Sequence, residues 1–481
     1  MLELKPSNDK TAETRAGDFR EARAKTAELC EKAGMANAEL IADLQPSAAM
    51  SDRAAPERLA TRMMLGTDFD GPTCGEHGGL INPMHAATTG MDELVHDWMG
   101  KTAEEIELDS KKPTRGLFMA VGWNASPAHA LIYAMSKYCA LYSDRGYRVG
   151  QKYVGYVEYT KARLRADGAE AAARLDSLEL IGRADDLLSI KGSRAYVSAI
   201  NAPVVDRLLQ PVEGSFLRFI EECKTVAKGK ISKIADQIIA GAHSPEIIAC
   251  VRAEAIIGDF FMWPMLRAIK HRLPDGSDAH ILDLGPVYQE AYKNLKYYAE
   301  YPRLVVSGEA TLLPSFGYAY VEHAPGMRSK GKRACADLER IYAAAGNDDK
   351  IMALITAALQ EIASTLHRHT SELQLGGQFA GENVTPELRA RYSGVNVTNT
   401  CVERAFGLEK FLHTRERGRH WHGRRGWVLF KYNRTHVWGR QLTPDKLRLY
   451  MRVAPEEGAA MAKREGKKAA AAGAQLPRLW R

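Results

Sequence analysis

A chain of 481 residues is too long for a single hydrophobic core, because such cores stop growing at roughly 250–300 residues, so two or three folded units are expected. With 45% hydrophobic and 26% charged residues and a net charge of +7, the composition excludes an intrinsically disordered chain of low hydrophobicity and high charge. The seven cysteines form no C-x-x-C pair, and no apolar stretch is long enough to predict a membrane span, so we expect an intracellular protein with free thiols.

The composition of the first part of the chain changes twice. Residues 11–45 are rich in Ala, Glu, Lys and Arg, which predicts a solvated helical arm, and a polar linker follows as far as residue 62. Residues 63–122 then alternate short apolar pieces with Gly and Pro, as in CGEHGGLINP at 74–83. This pattern predicts short strands and loops around one helix at 86–98, and it favours a buried sheet here.

Beyond residue 127 the chain has helical spacing almost throughout. Predicted helices cover residues 128–142, 149–165, 169–181, 194–209, 215–228, 245–271, 287–300, 334–345 and 350–374. Asn347, Asp348 and Asp349 precede the last of these and are expected to cap its N-terminus. The tail from residue 456 onward is alanine-rich, basic and low in complexity.

Asp68 and Asp70 form the first candidate site, in the stretch TDFDGP. Two carboxylates that are two residues apart on a strand face the same side, and such a pair suits Mg²⁺. The same pattern is an ordinary turn in which Asp accepts hydrogen bonds from backbone amides and Gly takes a positive φ. The spacing alone favours the turn.

Histidines provide weaker candidates. Cys74 and His77 have the spacing of half a zinc site, but the sequence supplies no second half. His85 and His96 are no better candidates for zinc ligands. Structural roles are expected for all three histidines. The chain contains no G-x-x-x-x-G-K-[ST], G-x-S-x-G or G-x-G-x-x-G motif, which argues against P-loop nucleotide hydrolysis and serine-hydrolase chemistry.

The segment from Lys410 to Arg440 concentrates positive charge. It holds nine basic residues and one acidic residue, Glu416, so it nets +8 while the other 450 residues net −1. Three tryptophans and a tyrosine are interleaved, and cations with flat rings are what a nucleic-acid surface needs. The predicted DNA contacts are Lys410, Arg415, Arg417, Arg419, Arg424, Arg425, Lys431, Arg434 and Arg440. A solvated basic face without a partner is the alternative.

Glu403 lies just before this segment, in NVTNTCVERAFG. Thr398, Asn399 and Thr400 precede it as candidate N-caps, which would place Glu403 about one turn into a helix. A negative charge is favourable there because it faces the positive end of the helix dipole. Considered alone, Glu403 is therefore better explained as a structural residue.

The order of the C-terminal motifs resembles the C-terminal end of hAT-type transposases. LQLGGQF begins at Leu373, residues 396–407 read NVTNTCVERAFG, and GWVLFKYNRTHVW follows within the basic segment. In that family a small-polar stretch leads into Glu-Arg-x-Phe, here Glu403 to Phe406, and a later helix ends in Asn, here Asn433. Residues 190–209 and 258–271 resemble the helical middle of the same proteins.

The resemblance implies an α-rich α+β fold with a small RNase H-like α/β core that is interrupted by a long all-helical insertion. Five segments are expected on this basis. They are a helical arm and linker at 1–62, the N-terminal part of the core at 63–190, the helical insertion at 191–395, C-terminal core helices with the basic DNA-contact segment at 396–452, and a low-complexity basic tail at 453–481.

The resemblance also implies a chemistry. Asp68, Asp109 and Glu403 would hold Mg²⁺ and cut or join DNA strands, with the metal stabilising the charge that develops on the phosphodiester. The implied setting is nuclear, with DNA as partner, a homodimer formed through the C-terminal helices, and no membrane. Two alternatives stay open: a catalytically inactive transposon-derived protein that binds DNA or dimerises, and a helical scaffold with no nucleic-acid role.

Overall fold

The structure is a computed structural model. It describes residues 12–32, 59–60, 62–64, 72–101, 105, 127–142, 147–149, 152–154, 195–210, 217, 220–221, 230–270, 280–316, 331–392 and 397. The chain divides into two compact units, one formed by Gly75–Val384 and the other by Met1–Cys74 with Thr385–Arg481.

Helices make up both units. In chain order they are α1 (Ala12–Lys32), α2 (Asn82–Trp98), α3 (Pro127–Tyr142), α4 (Ala195–Leu208), α5 (Lys230–Ala242), α6 (Pro245–Ile257), α7 (Trp263–Lys270), α8 (Gly285–Glu300), α9 (Pro302–Val306), α10 (Gly331–Ala345), α11 (Asp349–Thr370) and α12 (Pro386–Tyr392). π-helical turns at His77–Ile81 and Gly258–Met262 lead into α2 and α7. Short 3₁₀ turns lie at Ile281–Leu284, Pro314–Phe316 and Gly381–Asn383. Helices α1 and α12 belong to the smaller unit, and the rest belong to the larger one.

The predicted α+β class with an RNase H-like core is wrong, because the described part of the chain is helical almost throughout. Its strands are β1 (Tyr147–Val149) and β2 (Lys152–Val154), an antiparallel pair in which Tyr147 lies opposite Val154. A two-stranded hairpin cannot bury a core of its own, since independent stability needs three or more strands or a packed helix. The described residues therefore form an all-helical fold.

The strands and loops predicted for residues 74–83 are also wrong, since His77–Ile81 is a π-helical turn that continues into α2. Its glycines serve packing. A Cβ on Gly79 would lie 2.5 Å from Cε1 of Tyr288, whose hydroxyl donates a 3.2 Å hydrogen bond to the carbonyl of Gly75. The absent side chain thus lets a buried tyrosine of α8 lie against the helix backbone.

Helix α11 is the centre of the larger unit and packs against α2, α6, α8 and α9. Its apolar positions are buried as the spacing predicts, namely Ile351, Leu354, Ile355, Leu359, Ile362 and Leu366. The predicted cap is confirmed, because Oδ1 of Asp348 accepts from the N–H groups of Lys350 at 2.9 Å and Ile351 at 3.2 Å. Such a cap contributes about 1 kcal/mol. It fixes where α11 begins, and the helix then ends beside α8.

Most of the other helix predictions that fall on described residues are confirmed to within a few residues, as for α3, α4, α8 and α10. The helix predicted for 149–165 is wrong at its start, where β1 ends and β2 lies. The helix predicted for 169–181 lies outside the described residues. In the described ranges no helix combines the length and the apolar character that crossing a membrane requires.

Candidate functional site

The residues predicted to act on DNA lie outside the described part of the chain. This applies to the carboxylates Asp68, Asp109 and Glu403 and to the whole basic segment from Lys410 to Arg440. Their roles in Mg²⁺ and DNA binding therefore stay predictions. Among the residues that the structure does describe, no three or more His, Cys, Asp or Glu side chains are grouped so as to hold a metal ion.

Two histidines in the helical interior are held in their neutral form. Burial lowers the pKa of His85 to about 4, with His77 as the second cause. Burial likewise lowers the pKa of His129 to about 4, with His85 as the second cause. Both imidazoles are therefore uncharged at neutral pH, in keeping with structural roles.

A buried ion network joins α4, α6 and α10. Asp206 accepts from Arg252 Nε at 2.8 Å and from Arg340 Nη2 at 2.9 Å. Asp337 accepts from Arg207 Nε at 3.0 Å and from Arg340 Nη1 at 3.3 Å. Burial raises the pKa of Asp337, although both arginines act in the opposite direction. Since each aspartate meets two guanidinium groups, the network is suited to fixing three helices together.

A second polar group is enclosed between α4 and α6. Ser198 Oγ donates a 2.6 Å hydrogen bond to Oε2 of Glu254, while Oε1 is buried without a hydrogen-bond partner. Burial raises the pKa of Glu254 to about 7. Only 1% of Ser198 and 2% of Glu254 is exposed, so a substrate has no access to this pair. The Ser198–Glu254 pair therefore affects the stability of the fold.

The outer face of α8 has a different character. Its inner face is buried through Val287, Tyr288, Ala291 and Leu295. The aromatic–basic strip, as we call the outer set, consists of Tyr292, Lys293, Lys296, Tyr297 and the following Tyr301. Tyr292 with Lys296, and Lys293 with Tyr297, are separated by four residues, which makes them neighbours on a helix surface. Each lysine of the strip therefore has a tyrosine one helical turn away.

The geometry of the strip keeps its rings close together and accessible. Lys296 Nζ lies 5.8 Å from the centroid of the Tyr292 ring, and the rings of Tyr297 and Tyr301 are 4.9 Å apart. Tyr297 is 49% exposed and Tyr301 is 52% exposed. Aromatic side chains of this size carry much of the binding energy of interfaces, and a group of exposed ones marks an interaction surface.

A cavity of about 540 Å³ adjoins the strip where α11 ends. This volume lies within the roughly 300–1,000 Å³ that ligand pockets occupy. Tyr292 lines the cavity as well as belonging to the strip, and the other lining residues include His367, Glu372 and Gln374. The strip and the cavity thus form one continuous candidate site.

Comparison with known proteins does not identify the chain, since no protein-family model, no curated protein and no solved structure matches it. Its resemblance to hAT-type transposases therefore stays a prediction that depends on the quoted motifs. The function has to be argued from the chemistry of the site.

Sequence reasoning missed the strip, although a signal for it was present. Residues 292–303, YKNLKYYAEYPR, hold four tyrosines and three basic residues. Their one acidic residue is Glu300, which is also exposed. An aromatic and basic composition in a helix is a known footprint of nucleic-acid contact. The spacing of four residues between ring and cation was the specific sign.

Proposed function

We propose that the protein binds nucleic acid and that the aromatic–basic strip of α8 is a contact surface. The observation that carries the proposal is the grouping of two exposed lysines with exposed tyrosines on the outer side of α8. Among the described residues neither Lys293 nor Lys296 lies within ion-pair distance of a carboxylate. Both ammonium groups are thus exposed and without an ion pair in the described part of the chain.

Physical chemistry connects this arrangement with a polynucleotide. Lysines that approach phosphates release condensed counterions, which drives binding and makes it depend on salt. Tyrosine rings stack on unpaired bases with a gain of about 1–3 kcal/mol per base and little dependence on sequence. A surface that offers both groups side by side favours a strand that presents phosphates and base faces together.

The sequence adds a second, separate support. The segment from Lys410 to Arg440 nets +8 with tryptophans and a tyrosine interleaved, and the hAT resemblance makes DNA the expected polymer. Strand cleavage or transfer with Mg²⁺ through Asp68, Asp109 and Glu403 is a further proposal that does not depend on the strip. A binding protein without that chemistry is its alternative.

Fluorescence anisotropy with a labelled single-stranded DNA at several salt concentrations tests the binding proposal. We expect Lys293→Ala with Lys296→Ala to reduce the slope of log affinity against log salt by about 1.4, because each phosphate contact on a single strand contributes roughly 0.7. Tyr297→Ala with Tyr301→Ala should weaken binding by about tenfold or more, through lost stacking.

The matched control changes two exposed arginines of α12, Arg389→Ala with Arg391→Ala, and so removes the same charge elsewhere. An equal loss in this control would show a general charge effect and overturn the strip as the contact surface. Failure of the wild type to bind at low salt would overturn the proposed function and favour a helical scaffold.

The chemical proposal is tested in the same samples by following strand cleavage with and without Mg²⁺. Cleavage that requires Mg²⁺ and is lost in Glu403→Ala, Asp68→Ala or Asp109→Ala would support a metal-dependent nuclease or transposase. Intact binding without cleavage would support the inactive DNA-binding alternative.

A further inference from the structure

The cavity beside the strip contains a flat ring whose orientation is fixed. The rings of His367 and Tyr292 are stacked, with centroids 4.6 Å apart and planes at 19°. His367 Nδ1 lies 3.4 Å from Oε1 of Gln374, which accepts a hydrogen bond when Nδ1 carries the proton. Gln374 is only 6% exposed, and its Nε2 donates to Thr370 Oγ1 at 2.8 Å. The His367 ring is thus held from two sides.

His367 is nevertheless exposed to solvent. His367 also lines the cavity, and because Tyr292 covers one face of the imidazole, the face left for a ligand is the other one. A planar group of comparable size can extend the stack there at low entropic cost, because the platform is already ordered. Unpaired nucleobases commonly stack on His and Tyr rings in this way.

The walls of the cavity favour hydrogen-bond donors over anions. Glu372 and Gln374 line it, and so does Ser371, the residue at the C-terminal end of α11. The C-terminal end of a helix carries a partial negative charge. A phosphate is therefore disfavoured in the cavity itself, whereas the exocyclic amino group of adenine, cytosine or guanine is a suitable donor.

The loop that closes the cavity is shaped by two glycines. Gly376 has a φ of +77°, and its N–H donates to Glu382 Oε1 at 2.8 Å. A side chain on Gly377 would collide with the carbonyl oxygens of Ser371 and Glu372, and the carbonyl of Gly377 accepts from Asn383 Nδ2 at 2.7 Å. These contacts lie within the loop itself and fix the shape of this wall.

We infer that this cavity accepts one unstacked, amino-bearing nucleobase of a single strand whose backbone follows the lysines of the strip, with His367 as the stacking platform. The inference rests on the proposed function, since it specifies which part of the nucleic acid is recognised. Tyr292 joins the two surfaces, so one strand can place a phosphate near Lys296 and the attached base on His367.

The test compares oligonucleotides of equal length by anisotropy competition: oligo(dA), oligo(dC), oligo(dT) and a strand of abasic sites. The wild type should bind oligo(dA) and oligo(dC) about tenfold more tightly than the abasic strand, with oligo(dT) in between, and should prefer single strands to duplex. His367→Ala should remove the preference for oligo(dA) and oligo(dC) over oligo(dT), which stacking on Tyr297 and Tyr301 does not supply. His367→Phe should retain this preference because the platform is kept.

His243→Ala is the matched control, since this histidine at another helix end is exposed and, among the described residues, is paired with Glu221. It should behave as the wild type. Equal wild-type binding to oligo(dA) and to oligo(dT) would overturn the base pocket even if His367→Ala failed to fold. Retained preference in folded His367→Ala would also overturn it, and both results would leave the proposed function standing. No binding to any strand would overturn both.

Discussion

The buried ion network and the aromatic–basic strip use positive side chains in opposite ways. In the network, the guanidinium groups of Arg207, Arg252 and Arg340 meet two aspartates at 2.8–3.3 Å. In the strip, Lys296 lies over the Tyr292 ring, and no ion pair links Lys293 or Lys296 to a carboxylate in the described residues. The arginines of the network are paired within the fold, whereas we propose that the lysines of the strip pair with another molecule.

This difference has a physical basis in the solvent. A buried charge must be paired, because removing one partner leaves the other uncompensated at low dielectric. An exposed lysine keeps its hydration and costs the fold little when it is replaced. Substitutions in the network should therefore change stability, whereas substitutions in the strip should change binding alone.

Asp337→Ala should give the largest loss of stability. It removes the carboxylate that accepts from Arg207 and Arg340, and breaking a buried pair costs about 3–5 kcal/mol. Urea denaturation measures the change. Lys350→Ala is the control, since its 2.6 Å bridge to Glu246 is open to solvent, with 42% and 21% of the two side chains exposed, and solvent-exposed pairs contribute about 1 kcal/mol or less. Similar losses in the two variants would remove the distinction between buried and exposed charge.

Glu254→Gln should change the free energy of unfolding by an amount that depends on pH. The carboxyl has an ordinary pKa of 4.5, which burial raises to about 7, so the native state binds the extra proton between these values. The wild-type contribution of Glu254 is present below about pH 4.5 and is lost as pH rises through 7. Since glutamine stays neutral, the variant should gain about 3 kcal/mol over the wild type across this window.

Urea denaturation of both proteins at several pH values checks this difference, in which the opposite contributions of His85 and His129 cancel. Glu246→Gln provides a control of opposite sign. The hydrogen bond from Lys350 lowers the pKa of Glu246, so this carboxylate stabilises at high pH and its contribution disappears as pH falls. A pH-independent difference between Glu254→Gln and the wild type would contradict the account of this buried carboxyl.

Gly376→Ala should have an intermediate effect. A left-handed φ costs a residue with a Cβ roughly 1–2 kcal/mol, and the strain falls on the cavity wall. Thermal unfolding should show this modest loss, together with weaker discrimination between oligo(dA) and the abasic strand. Gly381→Ala, where a Cβ meets open space and φ is not positive, is the control and should change neither measurement. If both variants behave alike, the strained turn does not shape the cavity.

Lys293→Ala with Lys296→Ala should have the smallest effect on stability, within about 0.5 kcal/mol, because neither side chain contributes to the core. The same variant should show a clear loss of affinity for single-stranded DNA. Parallel urea denaturation and anisotropy make the comparison with Asp337→Ala complete. A loss of stability as large as that of Asp337→Ala would show that the lysines of the strip stabilise the fold.

Sequence reasoning reached the parts of the fold that depend on local pattern. The Asp348 cap and the buried stripe of α11 follow from residues near one another in the chain. The network could not be found this way, because Arg207 and Asp337 are 130 residues apart and nothing local links them. The sheet prediction failed at Gly78 and Gly79, where a turn-like pair serves close helix packing.

The candidate site was found only in part for a related reason. The residues 292–303 show tyrosines and basic residues in the sequence, but which of them face solvent depends on how α8 packs on α11. His367 and Tyr292 come from different helices, so their stacking also required the tertiary structure. The predicted contacts from Lys410 to Arg440 rest on composition alone.

Photo-crosslinking of the full chain to a single strand that carries 4-thiothymidine, followed by mass spectrometry, tests the central claim most directly. We predict crosslinks in the peptide that spans Tyr292 to Tyr301, and their loss in Lys293→Ala with Lys296→Ala but not in Arg389→Ala with Arg391→Ala. Crosslinks that occur only in other parts of the chain, or that persist unchanged in the lysine variant, would contradict the assignment of this strip as the nucleic-acid surface.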